Sequence, residues 1–456
     1  MQKENEWKSM MDAPVIKGEI PGEKSKLMLK EQELYETSSR TYTDTFKIGV
    51  NYGKNATIVD VDGNVFIDLF SGVSVLNMGH ANPDVLKAIT EQASRITHIT
   101  EVPTEARIAF LKTLNSTLPG KMRDNSKVFT TVTGGDACEL AIQLSRLITK
   151  KKVIIAFGGS YHGIAGNIVS TTANFHYRDN SFNSYTNTYH IPFPYPYRFP
   201  IKSENEDISK TVIDYLEYLI KDPYSGIGSV AGVMVEPIQG EGGYVVPPDN
   251  FMPMLAESTK KLGVPLIVDE IQTGMGRTGK IWASEHSRIT PDIMCISKSV
   301  GGGIPISMIA YHKEYDVEIP KAFHLGTFRA NPVGLAAGNV ILNKLKNEEF
   351  LNEVKRKGKF IMEKLISLQE KSKFIGDVRG KGLMIGVEFV RDKKSREPNS
   401  ELAMKIKNRM FNNGVLIHTC GHFANVIRFM PPLTIEMKLL EKSMEIFEKS
   451  LYQESS

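Results

Sequence analysis

DIMCISKSVGGGI, residues 292–304, runs an apolar strand into a lysine and then into three glycines. Ile293–Ile296 reads as a short buried strand. A lysine at its end, Lys298, costs desolvation energy unless it is paired or used covalently. Burial would lower its pKa and make it a nucleophilic amine, able to form a Schiff base with a carbonyl. Gly301, Gly302 and Gly303 would let backbone approach a ligand closely. The plainer alternative is a surface lysine in a flexible loop.

The same pattern occurs four more times. KVFTTV runs into TGGDA (133–137), KKVIIAF into GGSYHG (158–163), SVAGVMV into EPIQGEGG (236–243), and VPLIV into DEIQTG (269–274). Helical stretches lie between them, CELAIQLSRLI after the first and MPMLAESTKKLG before the fourth. Near-continuous apolar strands alternating with helices predict an α/β fold with a mostly parallel sheet covered on both faces. Ligands of such sheets bind beyond the carboxyl ends of the strands. All five polar clusters fall there, so one active site is expected near the middle of the chain.

Further out, ATIVDVDGNVFIDLFSG (56–72) reads as a hairpin turning at Asp60–Asn64. Beyond residue 345, KNEEFLNEVKRKGKFIMEKLISLQEK and EMKLLEKSMEIFEKSLYQ read as amphipathic helices, and GDVRGKGLMIGVEFV as strand. The expected division is an N-terminal arm and hairpin (1–74), a large domain (75–345), and a C-terminal part (346–456). The two ends would together form a smaller α+β domain. The chain has 456 residues, more than one core usually holds, and a net charge of +4 without a basic block or acidic tail. Nucleic acid is therefore not an expected partner. Three scattered cysteines offer no disulfide frame or zinc pattern. With no apolar leader core and no run of membrane-span length, a cytoplasmic enzyme without membrane attachment is expected.

Each cluster suggests a chemistry. Asp269 and Glu270 end an apolar strand; a carboxylate there can bind a metal, act as base or pair with a cationic ring nitrogen, or be only a capping or surface pair. No histidine or cysteine lies nearby at ligand spacing, which weakens the metal option. Thr133-Gly134-Gly135-Asp136 links strand to helix, either as an anion cradle suited to phosphate or as an ordinary capped turn. Tyr161 and His162 follow the next strand; an aromatic there can stack on a planar ligand or be core. Phosphate cradle, Schiff-base lysine, buried aspartate and stacking aromatic together fit pyridoxal phosphate (PLP). Gly274–Gly279 matches G-x-G-x-x-G, but carboxylates and Ile271-Gln272-Thr273 separate it from the strand, so a dinucleotide site is not expected.

VDEIQTGMGRTGK (268–280), PDIMCISKSVGGGIPIS (291–307), EPIQGEGG (236–243) and HLGTFRANP (324–332) resemble the class III, subgroup II aminotransferases of PLP fold type I. The likeness covers nearly the whole chain. It implies that Lys298 holds PLP and shuttles the substrate proton, and that Asp269 keeps the pyridine nitrogen protonated. Gln272 would bond the phenolic oxygen, Tyr161 stack on the ring with Ile271 behind it, and Gly134 and Gly135 bind the phosphate. Asp136, His162 and Glu236 complete the cofactor set. Thr327 would reach the neighbouring subunit's phosphate, making a homodimer, or a tetramer of two dimers, the working unit. Arg428, in NVIRFMPPL, resembles the arginine that grips the substrate carboxylate, a task suited to a guanidinium fork. Glu241 resembles the glutamate that pairs with this arginine when an ω-amino substrate is admitted.

Departures bear on the substrate. Ile164 stands where many 4-aminobutyrate transaminases of this family carry an arginine after Tyr-His-Gly. PFPYPYRFP (192–200) and GTFRANP (326–332) look most like diaminobutyrate–2-oxoglutarate transaminases, although Ala330 stands where that group has glycine. Related amino-acid racemases and epimerases use the same lysine and aspartate, but one epimerase group has asparagine where Gln272 sits. The expected activity is therefore transamination, with 2-oxoglutarate taking the amine. Racemisation and 4-aminobutyrate transamination are the alternatives.

Overall fold

The structure is a computed structural model describing residues 7–181, 187–201 and 207–455. Part of the segment 173–203, expected to shape the substrate pocket, lies outside the described residues. The chain forms two compact units, residues 1–86 with 354–456, and residues 87–353. Strands β1 (Val50–Lys54), β2 (Thr57–Asp60) and β3 (Val65–Asp68) belong to the first. The second holds β4 (Ser126–Thr131), β5 (Val153–Phe157), β6 (Thr188–Ile191), β7 (Val230–Val235), β8 (Leu266–Asp269), β9 (Ile293–Ile296) and β10 (Ser307–His312). The first unit resumes with β11 (Ile375–Lys381), β12 (Met384–Phe389), β13 (Val415–Leu416), β14 (His418–Cys420) and β15 (Val426–Phe429).

In the second unit the sheet order is β4-β10-β9-β8-β7-β5-β6. From β6 to β9 every pairing is parallel, while β10 runs antiparallel to both β9 and β4. β4 therefore points the same way as β9, and β4, β5, β7, β8 and β9 all end on one edge. β5, β7 and β9 are apolar throughout because both faces are covered, and β7, β8 and β9 are buried at every position. Ile154, Met234 and Ile267 pack with Ala137, Leu140 and Leu144 of the helix Gly134–Thr149. Their neighbours Ile155, Val233, Val235 and Val268 face the other way, towards Val212, Leu216, Phe251 and Leu255 of the helices Ile208–Lys221 and Phe251–Lys261. Strand alternation thus builds two cores from one sheet.

In the second unit the sequence pattern misses two strands. β6 is half polar, and β10 follows β9 without an intervening helix, so neither fits the strand–helix alternation.

In the first unit the sheets are β1-β2-β3-β13 and β11-β12-β15-β14. The β2–β3 hairpin turns where expected, because Asp60 Oδ1 accepts from the backbone N–H of Asp62 and Asn64 at 3.0 and 2.7 Å. GDVRGKGLMIGVEFV, read as one strand, is instead the antiparallel pair β11–β12, turning at Gly382 with φ 57°. Among the described residues no helix is long and apolar enough to cross a membrane.

Candidate active site

The five polar clusters meet at the carboxyl edge of the second unit's sheet. The helix Gly134–Thr149 starts one turn past β4, with a capping box at its head: Asp136 N–H donates to Thr133 Oγ1 at 3.3 Å and Thr133 N–H to Asp136 Oδ2 at 3.2 Å. The Asp136 carboxylate thus holds the turn and would repel a phosphate. Gly134 and Gly135, the first residues of the helix, present N–H groups at its positive end. A Cβ on Gly134 would lie 3.1 Å from Ile271 Cδ1, and one on Gly163 would lie 2.8 Å from Gly135 Cα. The glycines therefore let the loops after β4, β5 and β8 close on one point.

Asp269 ends β8 and is buried. Its Oδ1 accepts from Ile271 N–H at 2.9 Å; Oδ2 meets His162 Nδ1 at 2.7 Å and Cys138 Sγ at 3.4 Å. Burial disfavours the His162 imidazolium, but the Asp269 bond and charge, with the Glu236 charge, outweigh it and raise its pKa. His162 N–H is held by Thr172 Oγ1 at 3.0 Å, and its Nε2 is buried without a hydrogen-bond partner. Glu236 follows β7. Its Oε1 accepts from Tyr161 N–H at 3.1 Å and its Oε2 from Gly240 N–H at 2.8 Å. A Cβ on Gly240 would sit 2.2 Å from Gln272 Oε1, which is itself buried and without a partner. The Tyr161 ring packs edge-on against Tyr177 at 5.4 Å.

Cys138, His162 and Asp269 form a buried group of potential metal ligands within 4.8 Å of one another. The sequence argument against a metal therefore fails in space: the fold supplies the histidine and cysteine that local spacing lacks. These donors already bond one another, and burial pushes the Cys138 thiol well up, leaving it protonated rather than a thiolate ligand.

Lys298 follows β9, three residues past Cys295, which pairs with Asp269 across the β8–β9 ladder. It is half-buried and left-handed, φ 50°, a strained backbone of the kind that clusters at functional sites. The glycines after it serve the turn: Gly302 and Gly303 have φ 59° and 103°, and a Cβ on Gly301 would press to 3.0 Å from Ile306 Cγ1.

Gly134, Gly135, Asp136, Tyr161, His162, Glu236, Asp269, Ile271, Gln272 and Lys298 thus lie on adjoining loops. Glu241 stands on the loop after β7, and Thr327 on an exposed turn between Leu325 and Phe328. Arg428 belongs to the other unit, buried on β15 opposite Gly386 and His418. Two participants were not foreseen. Thr172 carries no sequence signal, and Cys138 reads only as an apolar helix position.

The donor set suits PLP. An anion cradle, a buried carboxylate braced by imidazole and thiol, an unpartnered amide oxygen and a strained lysine match its phosphate, ring nitrogen, ring substituents and aldehyde.

Glu236 gives a pH signature. Burial, with the Asp269 charge and against the pull of His162, pushes it up to about 7 from 4.5. Below 4.5 both folded and unfolded chains hold the proton; between 4.5 and 7 only the folded one does, so stability falls as pH rises. His162, raised as well, loses its contribution in the same direction. Cofactor-free protein is expected to lose up to ~3 kcal/mol across this window through Glu236. Calorimetry from pH 4.5 to 8 should show a falling melting temperature, with a flatter slope in Glu236→Gln.

The class-III aminotransferase family model matches residues 37–451. A diaminobutyrate–2-oxoglutarate aminotransferase of Rhizobium meliloti is 32% identical over 416 residues, 89% of this chain and 88% of that protein. An alanine/serine racemase of Pyrococcus horikoshii is 36% identical over 452 residues, 97% and 93% of the two chains. An (S)-enantioselective omega-transaminase of Thermomicrobium roseum superposes with a TM-score of 0.86 at 26% identity, covering 95% of this chain and 99% of the other. Because the family model covers residues 37–451, including the whole sheet edge that carries the lysine and aspartate, the chain belongs to the class-III aminotransferases, transaminases of PLP fold type I.

Proposed function

We propose that the enzyme moves an amino group from an ω-amino or diamino acid, with 2,4-diaminobutyrate the leading donor, to 2-oxoglutarate by a ping-pong route. The observation that carries the chemistry is Asp269, buried at the end of β8 with His162 at 2.7 Å. The donor class rests on the Rhizobium meliloti relative, together with the absence of a cation at Ile164, which is 48% exposed. Bound PLP supplies the electron sink and carries the amino group between substrates. Lys298 Nζ takes the proton from the donor carbon and returns it to the cofactor side. Asp269, held in place by its donors, would keep the positive charge on the ring nitrogen of the cofactor. Gly134 and Gly135 N–H groups hold the phosphate, and Gln272 orients the ring. The family resemblance assigns Arg428 to the carboxylate of 2-oxoglutarate and Glu241 to the admission of an ω-amino donor. The working unit is a homodimer, or a pair of dimers, in the cytoplasm. Support for the dimer comes from Thr327, exposed beside Leu325 (72%) and Phe328 (67%), an apolar tip suited to a neighbouring copy.

The second reading, racemisation, is favoured by the 36% identity to the Pyrococcus horikoshii enzyme. A half-reaction separates the two. PLP-loaded protein is mixed with L-2,4-diaminobutyrate, 4-aminobutyrate or branched α-amino acids in D₂O, without any oxo acid. Transamination discharges the lysine-bound absorption band and yields pyridoxamine phosphate, fastest with diaminobutyrate. A persistent band with deuterium entering Cα and loss of chirality means racemisation and removes the proposal.

A further inference from the structure

We infer that Cys138 is a positioning residue for this reaction, whose thiol donates to Asp269 Oδ2 and so shares that carboxylate's charge and fixes its orientation. The inference rests on the reading in which Asp269 serves the ring nitrogen.

Cys138 lies in the second turn of the helix Gly134–Thr149, wholly buried beside Ala137, Leu140 and Ala141. A buried cysteine is by default a small apolar filler. Three observations here go beyond filling. Its sulfur stands 3.4 Å from Asp269 Oδ2, the oxygen that also meets His162 Nδ1 at 2.7 Å. Oδ1 is already engaged by Ile271 N–H at 2.9 Å, so the thiol and imidazole jointly set the charge on the other oxygen. Cys295, directly across the ladder from Asp269, directs its single thiol proton to Ala137 O at 3.9 Å, so the Cys138 proton is the one that reaches the carboxylate. Burial pushes both thiols up, so Cys138 remains an S–H donor over the working pH range.

In this water-poor site each donor counts for more than it would in water. Without the thiol, Oδ2 keeps more of its charge unshared. It would then draw harder on the proton of the ring nitrogen it would hold, weakening the electron withdrawal that bound PLP would supply. A side chain of the same size without a donor should expose this.

The test compares Cys138→Val, Cys138→Ser and Asp269→Asn. In cofactor-free protein, the His162 ring titration is followed by NMR. In loaded protein, kcat and KM are measured separately, with the pH profile of kcat. Cys138→Val is expected to raise the His162 titration, because the imidazolium faces an oxygen whose charge is less shared. It should also lower kcat roughly three- to tenfold with KM little changed. Cys138→Ser, which keeps an O–H donor, should restore both. If Cys138→Val lowers only thermal stability and leaves His162 and kcat as in wild type, the thiol is filler and the inference is overturned. If Cys138→Val does not fold, Cys138→Ala lacks the donor equally and is judged by the same two readouts. An Asp269→Asn enzyme with unchanged kcat would instead bring down the underlying reading of Asp269.

Discussion

Lys298→Ala is expected to abolish turnover, by roughly 10⁴-fold or more, while the folded protein still binds PLP through its phosphate. Two lines of argument separate the lysine's chemistry from its architecture. The backbone at 298 is held by its surroundings: Val300 N–H donates to Ser297 O and Gly302 N–H to Ser299 O, each at 3.2 Å, and Ser297 Oγ reaches Ile306 O at 3.4 Å. Alanine inherits the same left-handed φ of 50°, so the strain remains and no new clash appears. The anion cradle at Gly134 and Gly135 sits on a different strand end and is untouched. The variant should therefore melt near the wild-type temperature and retain cofactor through gel filtration. Its cofactor absorbance should be that of free aldehyde rather than a lysine adduct. Single-turnover mixing with amino donor gives the decisive number. Activity within tenfold of wild type would mean that another amine moves the proton, and the role assigned to Lys298 would be wrong.

The strand ends were legible because a parallel sheet buried on both faces imposes a plain code. Its strands must be apolar throughout, and polar residues can return only where the strand stops. VPLIV before Asp269 and DIMCI before Lys298 follow that code. The contacts that give Asp269 its character were not legible. Cys138 and His162 stand 131 and 107 residues from it, and only the strand order brings them together. The same gap misled the reading of Glu270. In sequence it shares with Asp269 the options of metal ligand, base, ring-nitrogen partner, or cap or surface acid. In the fold it is buried and accepts from Thr273 Oγ1, Ala283 N–H and Ser284 N–H at 2.6, 3.0 and 2.7 Å, fastening the turn after β8 to residues 283–284. β10 escaped notice because SMIAYH follows GGGIP with no helix between, which the parallel pattern does not anticipate. Turn chemistry also reassigns the three glycines after Lys298: two of the three have positive φ.

Asp269→Asn and Asp269→Ala should both lower kcat by about 10³-fold, yet differ in stability, and the difference identifies what the carboxylate does. Asparagine keeps an oxygen for Ile271 N–H or His162, so its cost is mainly the lost charge. Alanine leaves Ile271 N–H, His162 Nδ1 and the Cys138 thiol facing an emptied space, a change that costs about 3–5 kcal/mol when a buried charge pair is broken. The pH dependence of that cost has a definite sign. His162 is raised above 6.5 through Asp269, so its contribution is fully present below 6.5 and fades as pH rises through the folded value. The deficit of Asp269→Ala should therefore be deepest in acid. Glu236 adds no definite sign of its own, because losing Asp269 removes both the charge that raises its pKa and the support of the His162 charge that lowers it. Denaturation of cofactor-free wild type and both variants at pH 5, 6.5 and 8 should thus show curves that converge with rising pH. Parallel curves would mean that His162 does not sense Asp269. Convergent curves with turnover lost in Asp269→Asn would mean that one carboxylate both braces the sheet edge and governs the cofactor's ring. An Asp269→Asn enzyme that kept its turnover would leave Asp269 with the bracing alone, and the charge that serves the ring would have to come from elsewhere on that edge.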